Sequence, residues 1–315
     1  MTDRNEKFAT KVVIPIIRNV AGLVAITLAV IAIAVASYAL FDINRVGMKA
    51  QPDQYAIYNP KNGGLSCKEL QEINPEVFGW IDIYGTNIDY PIVQTSNNEK
   101  YLSTDAMGKY SVSGSIFLDY RNKKDFSDFN NIIYGHSMSH NAMFGDVKDF
   151  TNKKFYDEHK YGDIFFDNKH HGLRIVGFVE TDAYKSGLYR PRIISEEEKL
   201  AFLRELDKDS KYEIKAEDKS TENTYVLLST CTYVTTNGRD ILVCVLTDEV
   251  YTDPFENDKG NKDTVEGPRT RIRFFLIMMI IIAALISIAT VLRKTDRRRA
   301  KEKVEENEDD AEKEI

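Results

Sequence analysis

The chain has 315 residues, with 42 Lys+Arg against 49 Asp+Glu for a net charge of −7, and three cysteines. The acidic balance offers no basic face for nucleic acid, and the odd cysteine count argues against a full disulfide framework. The length would allow two domains, but two apolar runs of membrane-spanning length reduce that to one.

Residues 1–20 carry Arg4, Lys7, Lys11 and Arg18 and are expected to be cytoplasmic. Residues 21–41 hold no charge over 21 positions and predict a transmembrane helix. Ala34-Val35-Ala36 resembles a signal-peptide cleavage site, but the apolar stretch exceeds the usual h-region of about 7 to 15 residues, which favours an uncleaved anchor. Residues 42–65, with Pro52, Pro60 and Gly63-Gly64, are expected to form an irregular link. Ser66 is a plausible N-cap for a short helix.

Strand-like runs follow at 79–83, 88–93, 114–118, 131–134, 162–166, 173–179, 225–229 and 241–246. They predict a mostly β catalytic domain over residues 66–252, a closed or nearly closed barrel of about eight strands. Ser195-Glu-Glu-Glu198, followed by Leu200, Leu203 and Leu206, has a capping box and helical spacing, so an amphipathic helix is expected between two strands. Residues 253–273 link to a second predicted span, 274–292, uncharged over 19 positions. The cluster Arg293, Lys294 and Arg297 to Arg299 opens a charged tail, 293–315, and by the positive-inside rule both termini are cytoplasmic. Arg269, Arg271 and Arg273 on the other flank are fewer. Residues 42–273 then face outward, with 30 Lys+Arg against 38 Asp+Glu.

The chemistry concentrates in Leu228-Ser229-Thr230-Cys231-Thr232-Tyr233, with Arg239 eight residues beyond the cysteine, and in Tyr134-Gly135-His136-Ser137-Met138. Each of the three candidates lies at an expected strand end. A thiolate attacks a carbonyl, an imidazolium protonates the departing amine, and a guanidinium supplies fixed donors to the oxyanion or the substrate backbone. Taken singly, Cys231 reads better as buried filler, the usual fate of a free cysteine, and Arg239 as a surface charge. Cys244, inside a continuously apolar run, is expected in a strand buried on both faces. A pairing of Cys67 with either other cysteine stays open. His170-His171 are expected in a solvated hairpin turn, and His140 and His159 lack partners at ligand spacing, so no metal site is predicted. No phosphate-binding glycine loop is present, and no cofactor is expected. Ser229 and Cys231 share one face of their strand.

Taken together, Ser229-Thr230-Cys231, Arg239 and Tyr134-Gly135-His136 with Met143-Phe144-Gly145-Asp146 resemble the sortase family of Gram-positive cell-surface transpeptidases. Asp89-Tyr-Pro-Ile-Val-Gln94, Tyr101-Leu102 and Gly114-Ser-Ile-Phe-Leu-Asp-Tyr-Arg-Asn122 look like class B, and the resemblance spans roughly residues 66 to 248. It implies a sortase-type barrel with an extra helix and a membrane-anchored transpeptidase with Cys231, His136 and Arg239 catalytic. It also implies a substrate groove lined by Ser229, Asn98, Leu102, Tyr189 and Thr232. The implied partners are secreted proteins bearing a C-terminal sorting signal, an accepting amine from peptidoglycan or a pilin lysine, and membrane lipid. Surface-protein anchoring is expected ahead of pilin polymerisation, whose associated Asp-Pro-aromatic lid is not found before the barrel. The rivals to a transpeptidase are a membrane-tethered cysteine peptidase and a catalytically silent binding domain.

Overall fold

The computed structural model describes residues 13–61, 67–182, 187–231, 238–256 and 294–295. The chain divides into two units, Met1–Ala39 with Lys262–Ile315, and Leu40–Asn261. In the first, the described part is mainly helix α1 (Ile14–Lys49), whose last ten residues belong to the second. Its apolar side chains are exposed along its length, Ile16, Leu28 and Val35 among them. Among the described residues it is the one helix long and apolar enough to cross a membrane. The predicted span 274–292 lies outside the described residues.

The second unit is built on strands β1 (Val77–Ile83), β2 (Asp89–Val93), β3 (Ile116–Leu118), β4 (Asn130–Tyr134), β5 (Tyr161–Phe166), β6 (Lys169–Asp182), β7 (Thr224–Cys231) and β8 (Gly238–Thr247). They close a barrel in the order β1-β2-β3-β4-β7-β8-β6-β5. The β2–β3 and β4–β7 pairs are parallel and the others antiparallel, as expected of a mixed sheet with long crossovers. Helix α2 (Cys67–Ile73) precedes β1, α3 (Lys153–Glu158) precedes β5, and α4 (Glu196–Asp209) lies between β6 and β7.

Alternation along β7 and β8 builds two apolar layers. Val226, Leu228, Leu242 and Cys244 join the barrel interior with Ile81, Ile133 and Phe144. Tyr225, Leu227, Ile241 and Val243 pack on the other side against Phe202, Leu203 and Leu206 of α4. Two-sided burial is why these two strands read as continuous apolar runs. Each large side chain so removed from water contributes about 1.5 to 3 kcal/mol.

The Ser195 capping box is present, but the face that α4 buries differs from the expected one. Leu200 is 48% exposed, and Phe202 takes its place by packing its ring against Phe129 and Tyr225. Residues 42–65, expected to be irregular, are helical to Lys49, and a turn of 3-10 helix over Pro52–Tyr58 buries Tyr55 and Tyr58 on the barrel. The β5–β6 turn consists of Asp167 and Asn168, both at positive φ. His170 and His171, expected in that turn, are instead in β6, with His170 Nδ1 2.8 Å from an Asp163 carboxylate oxygen. Cys67 and Cys244 are buried and free.

Candidate active site

Strand register brings the three chemistry-bearing residues together. On the parallel pair β4 and β7, Tyr134 lies beside Ser229, and the Gly135 amide donates to the Ser229 carbonyl at 3.2 Å. Two residues further along these neighbouring strands stand His136 and Cys231. On the antiparallel pair β7 and β8, Cys231 is the register partner of Arg239. His136, Cys231 and Arg239 therefore lie side by side at one end of three adjacent strands. The Cys231 side chain, and residues 232–237 with Thr232 among them, lie outside the described residues.

A groove of about 210 Å³ opens at this end, walled by Tyr134, His136, Ser229 and Arg239 at the strand ends and by Asn98 and Leu102 from the segment between β2 and β3. His136 and Arg239 are half-buried, Ser229 is buried, and Leu102 is 47% exposed. A His136 ring nitrogen (Nε2) lies 3.0 Å from the Leu102 carbonyl. The Arg239 guanidinium donates to the Gly238 carbonyl at 3.1 Å. Tyr189 stacks on Tyr134 with its ring 8° from parallel, and its hydroxyl is 2.7 Å from Ser229 Oγ. Of the residues expected to line the groove, Asn98, Leu102 and Ser229 do so, and Tyr189 touches the wall through Tyr134 and Ser229. A larger cavity, about 360 Å³ between Cys67, Phe78, Lys124 and Asp167, lies at the other end of the barrel, beside the β5–β6 turn.

The loop carrying His136 is tightly held. A Cβ at Gly135 would lie 2.8 Å from the Phe144 ring, so a side chain there would displace the core under the histidine. His140, Asn141 and Met143 all have positive φ, a conformation that non-glycine residues hold only when their surroundings impose it. The surroundings are visible. The buried Tyr90 hydroxyl donates to the Ala50 carbonyl at 2.9 Å and accepts from the Met143 backbone amide at 2.8 Å, and Gln51 Nε2 donates to the His140 carbonyl at 2.9 Å. Ala50 and Gln51, just after α1, thus fasten the histidine loop, Ala50 through Tyr90.

Sequence reasoning missed a second polar node. Asp119, just after β3, has no exposed surface. Its carboxylate accepts from the Arg121 guanidinium at 2.8 and 2.7 Å, from Asn98 Nδ2 at 3.0 Å and from the Tyr134 hydroxyl at 3.1 Å. Burial alone would raise its pKa, but the hydrogen bonds from Arg121 and Asn98 outweigh that and hold it below the usual carboxylate range. Burial raises the Tyr134 phenol, and the Asp119 charge adds to the effect. The free thiols are inert by the same physics, burial pushing Cys67 up to about 11 and Cys244 further up.

No family model matches the chain. It is 37% identical over 119 residues to sortase B of Staphylococcus aureus, covering 38% of this chain and 47% of that protein. The match therefore spans about half the length of that curated relative. Among solved structures, sortase B of Clostridium perfringens is 31% identical with a TM-score of 0.55, covering 58% of this chain and all of that one. A class B sortase of Streptococcus pyogenes involved in pilus biogenesis is 38% identical with a TM-score of 0.51, covering 57% of this chain and 96% of that one. The chain belongs to the sortase family and is class B-like.

Proposed function

For a class B-like sortase with this strand-end arrangement, we propose a membrane-anchored cysteine transpeptidase acting on the C-terminal sorting signals of secreted proteins. The observation that carries it is the register: Cys231 is opposite Arg239, and two residues past the Tyr134–Ser229 pair it neighbours His136, at the mouth of a groove.

In this mechanism the Cys231 thiolate attacks the carbonyl carbon of a Thr–Xaa bond. The C–N bond breaks as His136 gives its proton to the departing amine, leaving a thioester. Arg239 supplies fixed donors to the developing oxyanion. An amine then attacks the thioester, returns a proton to His136 and regenerates the thiolate. Asn98, Leu102 and the Ser229–Tyr189 pair hold the peptide, with Thr232 as a further contact. The anchor is α1, with residues 274–292 as a second span, both termini cytoplasmic and residues 42–273 outside. Protease shaving of intact cells tests this topology, and loss of the 302–315 tail to external protease would refute it.

Mass spectrometry of the chain incubated with sorting-signal peptides, with and without an added amine, tests the reaction. Transpeptidation predicts a Cys231-linked thioester and amine-dependent product. Carboxylic acid alone in both arms would make the protein a peptidase, and no adduct would make it a binding domain. The acceptor is proposed to be a cell-wall amine. The likeness to a relative involved in pilus biogenesis favours a pilin lysine as the second reading. Loss of a high-molecular-weight ladder from the cell wall of a deletion strain would select it.

A further inference from the structure

Two of the polar groups on the groove wall, Asn98 Nδ2 and the Tyr134 hydroxyl, are bonded to the same buried carboxylate oxygen, Asp119 Oδ2. We propose that Asp119 is a positioning residue that fixes the hydrogen-bonding polarity of the groove wall, so that it presents one donor and one acceptor to the backbone of an extended peptide. The inference rests on the sortase reading and deepens it.

The assignment follows from counting protons. The single hydroxyl proton of Tyr134 is committed to Asp119, which leaves only lone pairs on that oxygen. Asn98 Oδ1 accepts from the Tyr120 amide at 3.0 Å and its Nδ2 donates to Asp119, so the side-chain amide cannot flip and one N–H remains to donate. One donor beside one acceptor matches the C=O and N–H of a peptide unit. Asp119 is itself held from several directions. Its own amide donates to the Ile132 carbonyl at 2.8 Å, Gln94 Nε2 donates to its carbonyl at 2.8 Å, and Arg121 binds both carboxylate oxygens. Arg121 is the charged group facing it, and the phenols of Tyr134 and Tyr120 are the titratable groups around this ion pair. A bidentate partner of this kind keeps the carboxylate ionised and immobile.

The full-length chain, in detergent, is assayed with a fluorogenic peptide library randomised around a Thr–Xaa bond. Asp119→Asn puts an amide where both donors need an acceptor, and KM is expected to rise roughly tenfold, the value of one charge-assisted hydrogen bond, while kcat changes less than about twofold. An unchanged KM, or equal loss of kcat and kcat/KM, overturns the proposal. Arg121→Gln is the companion variant should Asp119→Asn fail to fold, since the Arg121 side chain is 40% exposed. Without Arg121, burial prevails and Asp119 takes up a proton as the pH falls. The ratio of the Arg121→Gln KM to the wild-type KM should then climb as the pH falls. Parallel profiles overturn the proposal. If the wild type turns over no peptide, the sortase reading fails separately. The Asn98 side-chain amide resonance still decides the node, because it should titrate in Arg121→Gln and not in the wild type. Absence of that titration counts against Asp119.

Discussion

The Asp240 carboxyl, next to Arg239, offers a pH-dependent stability test. It is 5% exposed and lies in register between Thr230 of β7 and Glu180 of β6. Burial, with Glu180 adding to it and Lys211 opposing, pushes its pKa up from 3.8 to about 6. Thr230 Oγ1, the buried hydroxyl beside it in the sheet, makes no hydrogen bond among the described residues. Holding the proton up to about pH 6 instead of 3.8 penalises the ionised form by about 3 kcal/mol. Glu180 is partly exposed, so water screens its share of that penalty, and the working figure is about 1 to 2 kcal/mol.

The sign follows from linkage. Folding raises this pKa, so between about pH 4 and pH 6 the folded state keeps a proton that the unfolded chain has lost. Stability is therefore undiminished below about pH 4, falls across that window, and stays lower above it. Asp240→Asn keeps the shape and removes the charge. It should leave Tm nearly unchanged near pH 4 and raise it by roughly 2 to 8 °C at about pH 8, for a unit of this size. Scanning calorimetry at the two pH values reads the difference directly. An equal gain at both, or a loss at the higher pH, would refute the assignment of a buried, poorly compensated carboxylate.

Cys231→Ala should abolish turnover, whereas Cys67→Ala and Cys244→Ala should retain it. Iodoacetamide at neutral pH should label Cys231 alone, because the other two thiols are buried with raised pKa values; peptide mapping of the alkylated chain decides. Arg239→Lys should lower kcat/KM by at least roughly tenfold, since an ammonium does not reproduce a planar fork of donors, and near-normal kinetics would reduce the residue to a generic charge. Tyr90→Phe should cost about 2 kcal/mol by stranding the buried Met143 amide and Ala50 carbonyl. It should also lower kcat by loosening the His136 loop, and a stability loss with kcat intact would show that the loop is held without it.

The parts of the fold that were legible in the sequence are those where one local rule decides. β7 and β8 announce themselves as apolar runs because both their faces are covered, and the capping box fixes the start of α4 from four residues. The buried face of α4 was not legible, because Leu200 and Phe202 fit helical spacing comparably and the choice is made by the distant rings of Phe129 and Tyr225. Residues 52–58 read as a link because Pro52 and the polar residues hide two tyrosines whose burial depends on a barrel wall elsewhere in the chain. The same limit applied to the site. Cys231, His136 and Arg239 are visible as residue types in motifs, but Asp119 gains its meaning from Asn98, 21 residues earlier, and Tyr134, 15 residues later.

Period-two alternation at the end of β7 and β8 separates two tasks that adjacent residues perform. Ser229 and Arg239 line the groove, and residue 231 is in phase with Ser229. Their immediate neighbours Thr230 and Asp240 are buried, in phase with Leu228 and Leu242 of the barrel interior. Thr230 still touches the groove wall, and Asp240 does not. The inward carboxyl therefore has no direct hold on the groove chemistry, although it is one peptide bond from Arg239. Substitutions one residue apart should part accordingly: Arg239→Lys lowers turnover with little change in Tm, while Asp240→Asn raises Tm at high pH with little change in turnover. A register slip of one residue in β8 would exchange the two faces and destroy both properties. The long β6–β8 ladder, running from Gly172–Thr247 to Asp182–Gly238, stands against that slip. Its length is thus a requirement of the active site as well as of the barrel.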